Sequence, residues 1–159
     1  MTPLVRRAAA SDIEEIATIH REAFPRQRDS EAWVKATLSA VPRILTFVLA
    51  LDSSVAGYIF GAQKSGIRPS VVLELDQVAI VSQFRRQGYG ERLIRESLAL
   101  VAAELKDNGQ SLRSVLVSTR ADNDAQSLYA RILGAKVVAS IEGLYSATAV
   151  FMLAERPDA

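Results

Sequence analysis

One continuous stretch dictates most of what this chain can become: Leu75-Asp76-Gln77-Val78-Ala79-Ile80-Val81-Ser82-Gln83-Phe84-Arg85-Arg86-Gln87-Gly88-Tyr89-Gly90, followed at once by a long amphipathic run. Val71 to Val81 is apolar and rich in β-branched residues, with charges only at Glu74 and Asp76. That pattern predicts a largely buried central strand. Arg85-x-x-Gly88-x-Gly90 then turns the chain into a helix, and such a turn aims several unpaired backbone N–H groups at one point, where the positive end of the helix dipole adds to their field. The point is an anion site. Glycine at 88 and 90 admits a bulky phosphate close to the backbone, and Arg85 and Arg86 supply mobile positive charge. A Walker loop would end in Gly-Lys-Ser/Thr and a dinucleotide fingerprint would read G-x-G-x-x-G; the stretch matches neither.

The rest of the chain sets bounds on this reading. A length of 159 residues suits a single domain, residues 1–159, that buries about 70% of its unfolded surface without covalent staples. There is no cysteine, which removes disulfides, thiol nucleophiles and Cys-type metal sites from consideration and is compatible with a cytoplasmic location. The formal net charge of +1 lacks the basic surplus of a nucleic-acid binder. With no secretory-type leader in Met1–Arg7 and no apolar run of membrane-spanning length, a soluble, cytoplasmic protein is expected.

In chain order, Leu4 to Ala8 predicts a first strand. Ser11-Asp12-Ile13-Glu14 has the form of a capping box, with Ser11 at N-cap, opening a helix whose apolar stripe is Ile13, Ile16, Ala17, Ile19, Ala23 and Phe24 and which Pro25 stops. Ser30 caps a second helix to about Ala40, with Trp33, Val34, Thr37 and Leu38 facing inward. Ile44 to Leu51 and Val55 to Gln63 form a hairpin around Asp52-Ser53-Ser54, both strands apolar enough to be covered on two sides. The long helix runs from about Gly88 to Asp107 and ends at Asn108-Gly109. Tyr89, at its start, suits packing or a ribose-side contact rather than catalysis. Ser114 to Thr119 is the next strand, and Ala135 to Ile141 with Thr148 to Leu153 finish the sheet. The tail from Glu155 is expected to fray.

Strand, Arg85-x-x-Gly88-x-Gly90 loop and long helix together resemble the pyrophosphate loop of the GNAT N-acetyltransferase superfamily, with Leu75 to Arg85 matching its preceding strand and Ser82 standing where proline is usual. Resemblance covers nearly the whole order of elements. It implies an α/β (α+β) fold: a central, mixed, mostly antiparallel twisted sheet of about seven strands flanked by about four helices and splayed at the cofactor site. The stretch from Asp122 to Ala135 is similar to the superfamily's second motif but departs from it in register. Anchoring Asn123 and Gly134 puts Ala130 at the tyrosine position; anchoring Ala125, Leu128 and Tyr129 inserts one residue before Gly134. We adopt the second for Tyr129, because Ala125-x-x-Leu128-Tyr129 matches as a block; the choice matters, since one residue is about 100° on a helix.

The resemblance implies acetyl-coenzyme A as acyl donor and no metal. Arg85, Arg86, Gln87, Gly88, Tyr89 and Gly90 would hold the pyrophosphate, backbone groups of Val78, Ala79 and Ile80 the pantetheine, and Asn123 the pantetheine arm. The first two helices and their link would border an acceptor pocket. His20 and Trp33 are candidates there, although a half-exposed helix histidine and a core tryptophan are the plainer readings. The implied reaction is direct attack of a primary amine, on a small molecule or peptide, within a ternary complex. Glu74 is the first candidate for general base and Asp76, on the same side of the strand, the second; two carboxylates there raise one another's pKa. Tyr129 would protonate the departing thiolate, with Tyr145 either an alternative acid or an aromatic covering the sheet. A lysine-like amine of pKa about 10.4 is neutral only about once in 2,500 at pH 7, worth roughly 4.6 kcal/mol, against about 1 for an α-amine. A catalytically weak coenzyme-A-binding sensor is the alternative, nucleic acid and membrane partners are not expected, and a homodimer is compatible with the sequence.

Overall fold

The computed structural model describes residues 1–156; residues 157–159, part of the tail expected to fray, lie outside the described residues. Among the described residues there are seven strands and four α-helices: β1 (Pro3–Arg7), α1 (Ile13–Ala23), α2 (Ser30–Ser39), β2 (Ile44–Leu51), β3 (Ser54–Gln63), β4 (Ser70–Ile80), α3 (Tyr89–Asp107), β5 (Ser111–Arg120), α4 (Ala125–Leu133), β6 (Lys136–Ile141) and β7 (Ala149–Glu155). The strands are hydrogen-bonded in the order β1-β2-β3-β4-β5-β7-β6. β4 and β5 run parallel, while β1–β2, β2–β3, β5–β7 and β6–β7 are antiparallel. The expected mixed, mostly antiparallel sheet is therefore present. The chain forms two compact units, one of Met1–Ala62 with Gln77–Val101, the other of Gln63–Asp76 with the chain from Ala102.

In the first unit, β2 and β3 are buried along almost their full lengths. Their β-branched and aromatic residues pack against helix residues in one cluster that includes Ile16, Ile19, Val34, Val48, Tyr58 and Phe60. Each such side chain contributes about 1.5–3 kcal/mol on leaving water. Asp52, at positive φ of 54°, makes the hairpin turn, and its carboxylate accepts from the Thr2 N–H at 3.2 Å. The β2–β3 register jumps from Leu49↔Gly57 to Ala50↔Val55, so Ala56 is bulged out of the ladder. Its carbonyl is used elsewhere: it accepts from the Val81 N–H at 2.8 Å. One residue on, a Cβ on Gly57 would stand 2.8 Å from the Ala79 carbonyl oxygen and against Ile80 Cδ1. Glycine is required there by close approach of the end of β4.

The start of α1 differs from expectation. Asp12, not Ser11, organises it: the carboxylate takes the Arg6 guanidinium in a fork at 2.8 and 2.9 Å and accepts from the Ala9 N–H at 2.7 Å. A charged acceptor wins over a serine hydroxyl because both of its oxygens are engaged and it is only 4% exposed. Ser30 is likewise no cap; Asp29, at φ 52°, precedes α2, its carbonyl accepts from the Trp33 N–H, and the buried Ser30 hydroxyl is bonded to His20. Trp33 is 48% exposed. The inward stripe of α2 is Ser30, Val34 and Thr37, and Trp33 is one residue, about 100°, out of line with it. His20 is wholly buried, not half-exposed, because the α1 stripe rolls through Ile16, Ala17, Ile19 and His20.

In the second unit, the β4–β5 ladder spans Ser70↔Ser111 to Glu74↔Leu116, while β4 itself continues to Ile80. β5 pairs with β7 from Ser114↔Glu155 to Arg120↔Ala149. β6 is exposed throughout. Tyr145 is 67% exposed on a bend whose neighbours from Glu142 to Ser146 are exposed too, so it does not cover the sheet.

Two stability measurements check this account. Gly57→Ala, which must push the Ala79 carbonyl or Ile80 aside, is expected to lose about 1–3 kcal/mol in urea unfolding; an unchanged midpoint would contradict the close approach. Arg6 holds the Asp12 carboxyl below its ordinary range, against the opposing effect of burial, with the Ala9 N–H helping. A depressed folded pKa gives stability that is present above the unfolded value and lost as pH falls through the folded one. Asp12→Asn is therefore expected to cost about 1.5–3 kcal/mol at neutral pH, with the difference from the parent closing below about pH 3.9; a pH-independent difference would contradict it.

Candidate active site

After Ile80 the chain makes a short 3-10 turn at Ser82–Phe84, closed by Phe84 N–H to Val81 carbonyl at 2.9 Å and Arg85 N–H to Ser82 carbonyl at 3.2 Å. Arg85 returns to extended backbone, Arg86 enters the left-handed region at φ 59° and Gly88 follows at φ 83°. The Arg92 N–H bonds the Gly88 carbonyl at 3.0 Å as α3 begins. Among the described residues, the N–H groups of Gly88, Tyr89 and Gly90 have no acceptor. They open a helix of 19 residues, so their partial positive charge is reinforced by its dipole.

The two arginines differ in their surroundings. Arg85 is engaged: its Nε donates to the Ile80 carbonyl at 2.9 Å and its Nη2 stands 3.9 Å from Glu22. Glu22, on α1, also accepts from the Ser82 N–H at 3.3 Å. Arg85 thus folds the turn back onto the end of β4, whereas Arg86 is exposed. Gln87 ties the turn to itself, its Nε2 donating to the Gln83 carbonyl at 2.9 Å. Tyr89 meets Phe84 edge to face at 6.2 Å. Nothing lies within 4 Å of a Cβ built on Gly88, so its glycine answers to the positive φ and leaves open space beside the free amides. Ala79 and Ile80 are buried and Val78 half-buried.

The strand carboxylates lie in the second unit. Glu74 is paired with Lys64 at 3.3 Å, a partner whose own N–H bonds the Val72 carbonyl. Asp76 is exposed by area yet enclosed enough that loss of hydration, more than the neighbouring Glu74 charge, raises its pKa; Lys64 opposes the rise. Asn123 turns its Oδ1 to the Ala125 N–H at 2.8 Å, which spends that oxygen on the first turn of α4 and leaves its NH₂ face. Tyr129 is 9% exposed while Ala130 is exposed, so Tyr129 is the residue on the inner face of α4, alongside Ile132 and Leu133. Burial raises its phenol pKa and keeps it protonated. Gly134, at φ 66°, ends the helix by donating to the Ala130 carbonyl at 3.0 Å.

Three polar residues that bond candidate residues within their own units escaped the sequence reading. Lys64 carried no signal ahead of its pairing with Glu74. Gln77 did: it is the one polar side chain on the buried face of β4 that otherwise reads Val71, Leu73, Leu75 and Ala79. Gln27, in an exposed link, becomes notable only through its bonds to His20 and Gln77. Among the described residues no group of three or more His, Cys, Asp or Glu side chains is arranged to hold a metal ion, and no helix is long and apolar enough to cross a membrane.

The fold is shared with solved acetyltransferases. Ard1 from Thermoplasma volcanium superposes with a TM-score of 0.76 at 23% identity, covering 98% of each chain. The ribosomal-protein-S18-alanine N-acetyltransferase of Escherichia coli gives 0.75 at 18% identity, over 99% of this chain and 96% of that one. An aminoglycoside 6'-N-acetyltransferase complexed with coenzyme A gives 0.76 at 15% identity, over 98% and 99%. At these identities the likeness is one of fold. A search of curated protein sequences found no match. The sequence itself matches the acetyltransferase (GNAT) family over residues 13–135, more than three quarters of the chain; the protein belongs to that family, whose enzymes take acetyl-coenzyme A as acyl donor and need no metal.

Proposed function

We propose that this acetyltransferase transfers an acetyl group from acetyl-coenzyme A to a primary amine by direct attack in a ternary complex. The observation that carries the cofactor assignment is the set of free N–H groups on Gly88, Tyr89 and Gly90, beside open space at Gly88 and with the Arg86 charge close in sequence. A diphosphate fits such a donor set, since each N–H is already oriented and desolvating it costs no protein hydrogen bond. Backbone groups of Val78, Ala79 and Ile80 would hold the pantetheine, and the Asn123 NH₂ the pantetheine arm.

Backbone N–H near Ile80 is the proposed polarising group for the thioester carbonyl. Tyr129, kept protonated by burial, is the proposed proton donor to the thiolate. Glu74 is the proposed base, directly or through water, and the Lys64 ammonium that it now binds marks where a cationic amine would be drawn. Asp76, with its raised pKa, is the second candidate, because a more basic carboxylate takes a proton more readily. Positioning and oxyanion stabilisation contribute more than the acid and base. We place the acceptor against α1, α2 and the segment that links them. The acceptors named for two proteins of the same fold, a ribosomal-protein alanine and an aminoglycoside, are both amines and set the range to be searched.

Two variants test the reading. Gly88→Trp should abolish coenzyme A binding by calorimetry, since a side chain at φ 83° both strains the turn and fills the cradle; full retention of binding would overturn the cofactor site. Glu74→Gln should lower turnover about 10²–10⁴-fold with coenzyme A affinity unchanged, measured as free-thiol release against α-amine peptides, polyamines and aminoglycosides. It should also remove the acidic limb of the pH–rate profile. If that limb survives in Glu74→Gln and disappears in Asp76→Asn, the base is Asp76.

A further inference from the structure

His20 on α1 is wholly buried, and both of its ring nitrogens are engaged. Nδ1 lies 2.8 Å from the hydroxyl of Ser30, the first residue of α2, and Nε2 lies 2.8 Å from Gln27 Oε1 on the link between the helices. The same Gln27 oxygen accepts, at 3.4 Å, from Gln77 Nε2 on β4, and Gln77 Oε1 accepts from the Tyr58 hydroxyl on β3 at 3.1 Å. The protons along this chain follow from one another. Because Gln77 donates to Gln27 Oε1, His20 Nε2 must carry a hydrogen to bond that oxygen; in a neutral imidazole Nδ1 is then bare and accepts from Ser30. Burial, which lowers the His20 pKa against the opposing effect of Gln27, keeps the ring in that neutral form.

The link has little hydrophobic anchorage of its own, since Pro25 to Asp29 are all exposed. Gln27 and Ser30, the two side chains that His20 grips, also line one open hollow of about 690 Å³. We propose that His20 is a positioning residue for acceptor binding. Through Nε2 it sets Gln27, and with it the α1–α2 link, against Gln77 of β4; through Nδ1 it sets the first turn of α2; the hollow between them thereby keeps one shape. The inference rests on the reading above that the acceptor meets this link, and adds which residue fixes it. Chemistry does not pass through His20, so turnover at saturating acceptor and coenzyme A affinity are independent of it.

Asparagine places its amide where Nδ1 stands and glutamine where Nε2 stands, so the two variants separate the arms of the clasp. His20→Asn and Gln27→Ala should each raise acceptor KM about tenfold, the size of one lost hydrogen bond, with kcat and coenzyme A Kd within about twofold; His20→Gln should restore KM to within about twofold. Acceptor KM is read with whichever of an alanine-first peptide, spermidine or kanamycin releases thiol fastest. Gln27→Ala is on an exposed residue and keeps the test open should His20→Asn fail to fold. Hydrogen exchange at the Gln27 N–H, which is bonded to the Phe24 carbonyl, should quicken in His20→Asn and Gln27→Ala but not in His20→Gln. Unchanged exchange there would overturn the clasp itself. Faster exchange with unchanged KM would leave the clasp and overturn its role, and with it the placing of the acceptor; a parallel loss of coenzyme A affinity would show general damage and overturn the proposal too.

Discussion

Three backbone N–H groups, on Gly88, Tyr89 and Gly90, begin α3 without an acceptor among the described residues, and contacts within the first unit hold the turn that carries them. Orphan donors at a helix start are ordinarily satisfied by a capping side chain or by water. Among the described residues no side chain caps them: Gln87 donates its Nε2 to the Gln83 carbonyl, and Arg85, which has donors only, bonds the Ile80 carbonyl. The Arg85 anchor depends on where Ile80 lies, and Ile80 depends on Gly57, over which the end of β4 passes too closely for a Cβ. Val81 is fixed in turn by the bulged Ala56 carbonyl. A missing methyl group in β3 thus helps decide the direction of the amides at the start of α3.

The central turn was readable in the sequence because its determinants are local. Positive φ at a glycine, an apolar β-branched strand before it and a helical stripe after it lie within one run of residues. The hairpin at Asp52 and the end of α3 at Gly109, at φ 71°, were legible for the same reason. What escaped was set by partners far along the chain. Asp12 displaces Ser11 as organiser of α1 because Arg6 reaches it from β1. His20 is buried because Ser30 and Gln27 satisfy both of its nitrogens, and no periodicity in α1 announces them. Trp33 misleads because an aromatic residue next to an apolar stripe looks like part of it until the helix phase is fixed. Lys64 meets Glu74 only because the loop after β3 brings it back beside β4.

The candidate acid–base residues differ in how much their surroundings say. Tyr129 is enclosed, and enclosure alone raises its pKa, which suits a donor and excludes a phenolate at neutral pH. Glu74 and Asp76 share a face of β4, as strand alternation requires, but Lys64 binds the first and burial raises the pKa of the second. Either carboxylate can draw in a cationic amine, and the proposed base is Glu74, with Asp76 the second candidate. Deprotonating an acceptor amine with pKa near 10.4 at pH 7 costs roughly 4.6 kcal/mol, and an α-amine only about 1, so the proposed base matters far more for the first than for the second.

The central claim is that the amides opening α3 bind the diphosphate of coenzyme A, and an amide-resolved NMR titration reaches it directly. Coenzyme A should shift the backbone resonances of Gly88, Tyr89 and Gly90 in a saturable way, while pantetheine, which lacks the diphosphate, leaves them in place. Resonances that stay fixed with coenzyme A, or that move equally with pantetheine, would contradict the account.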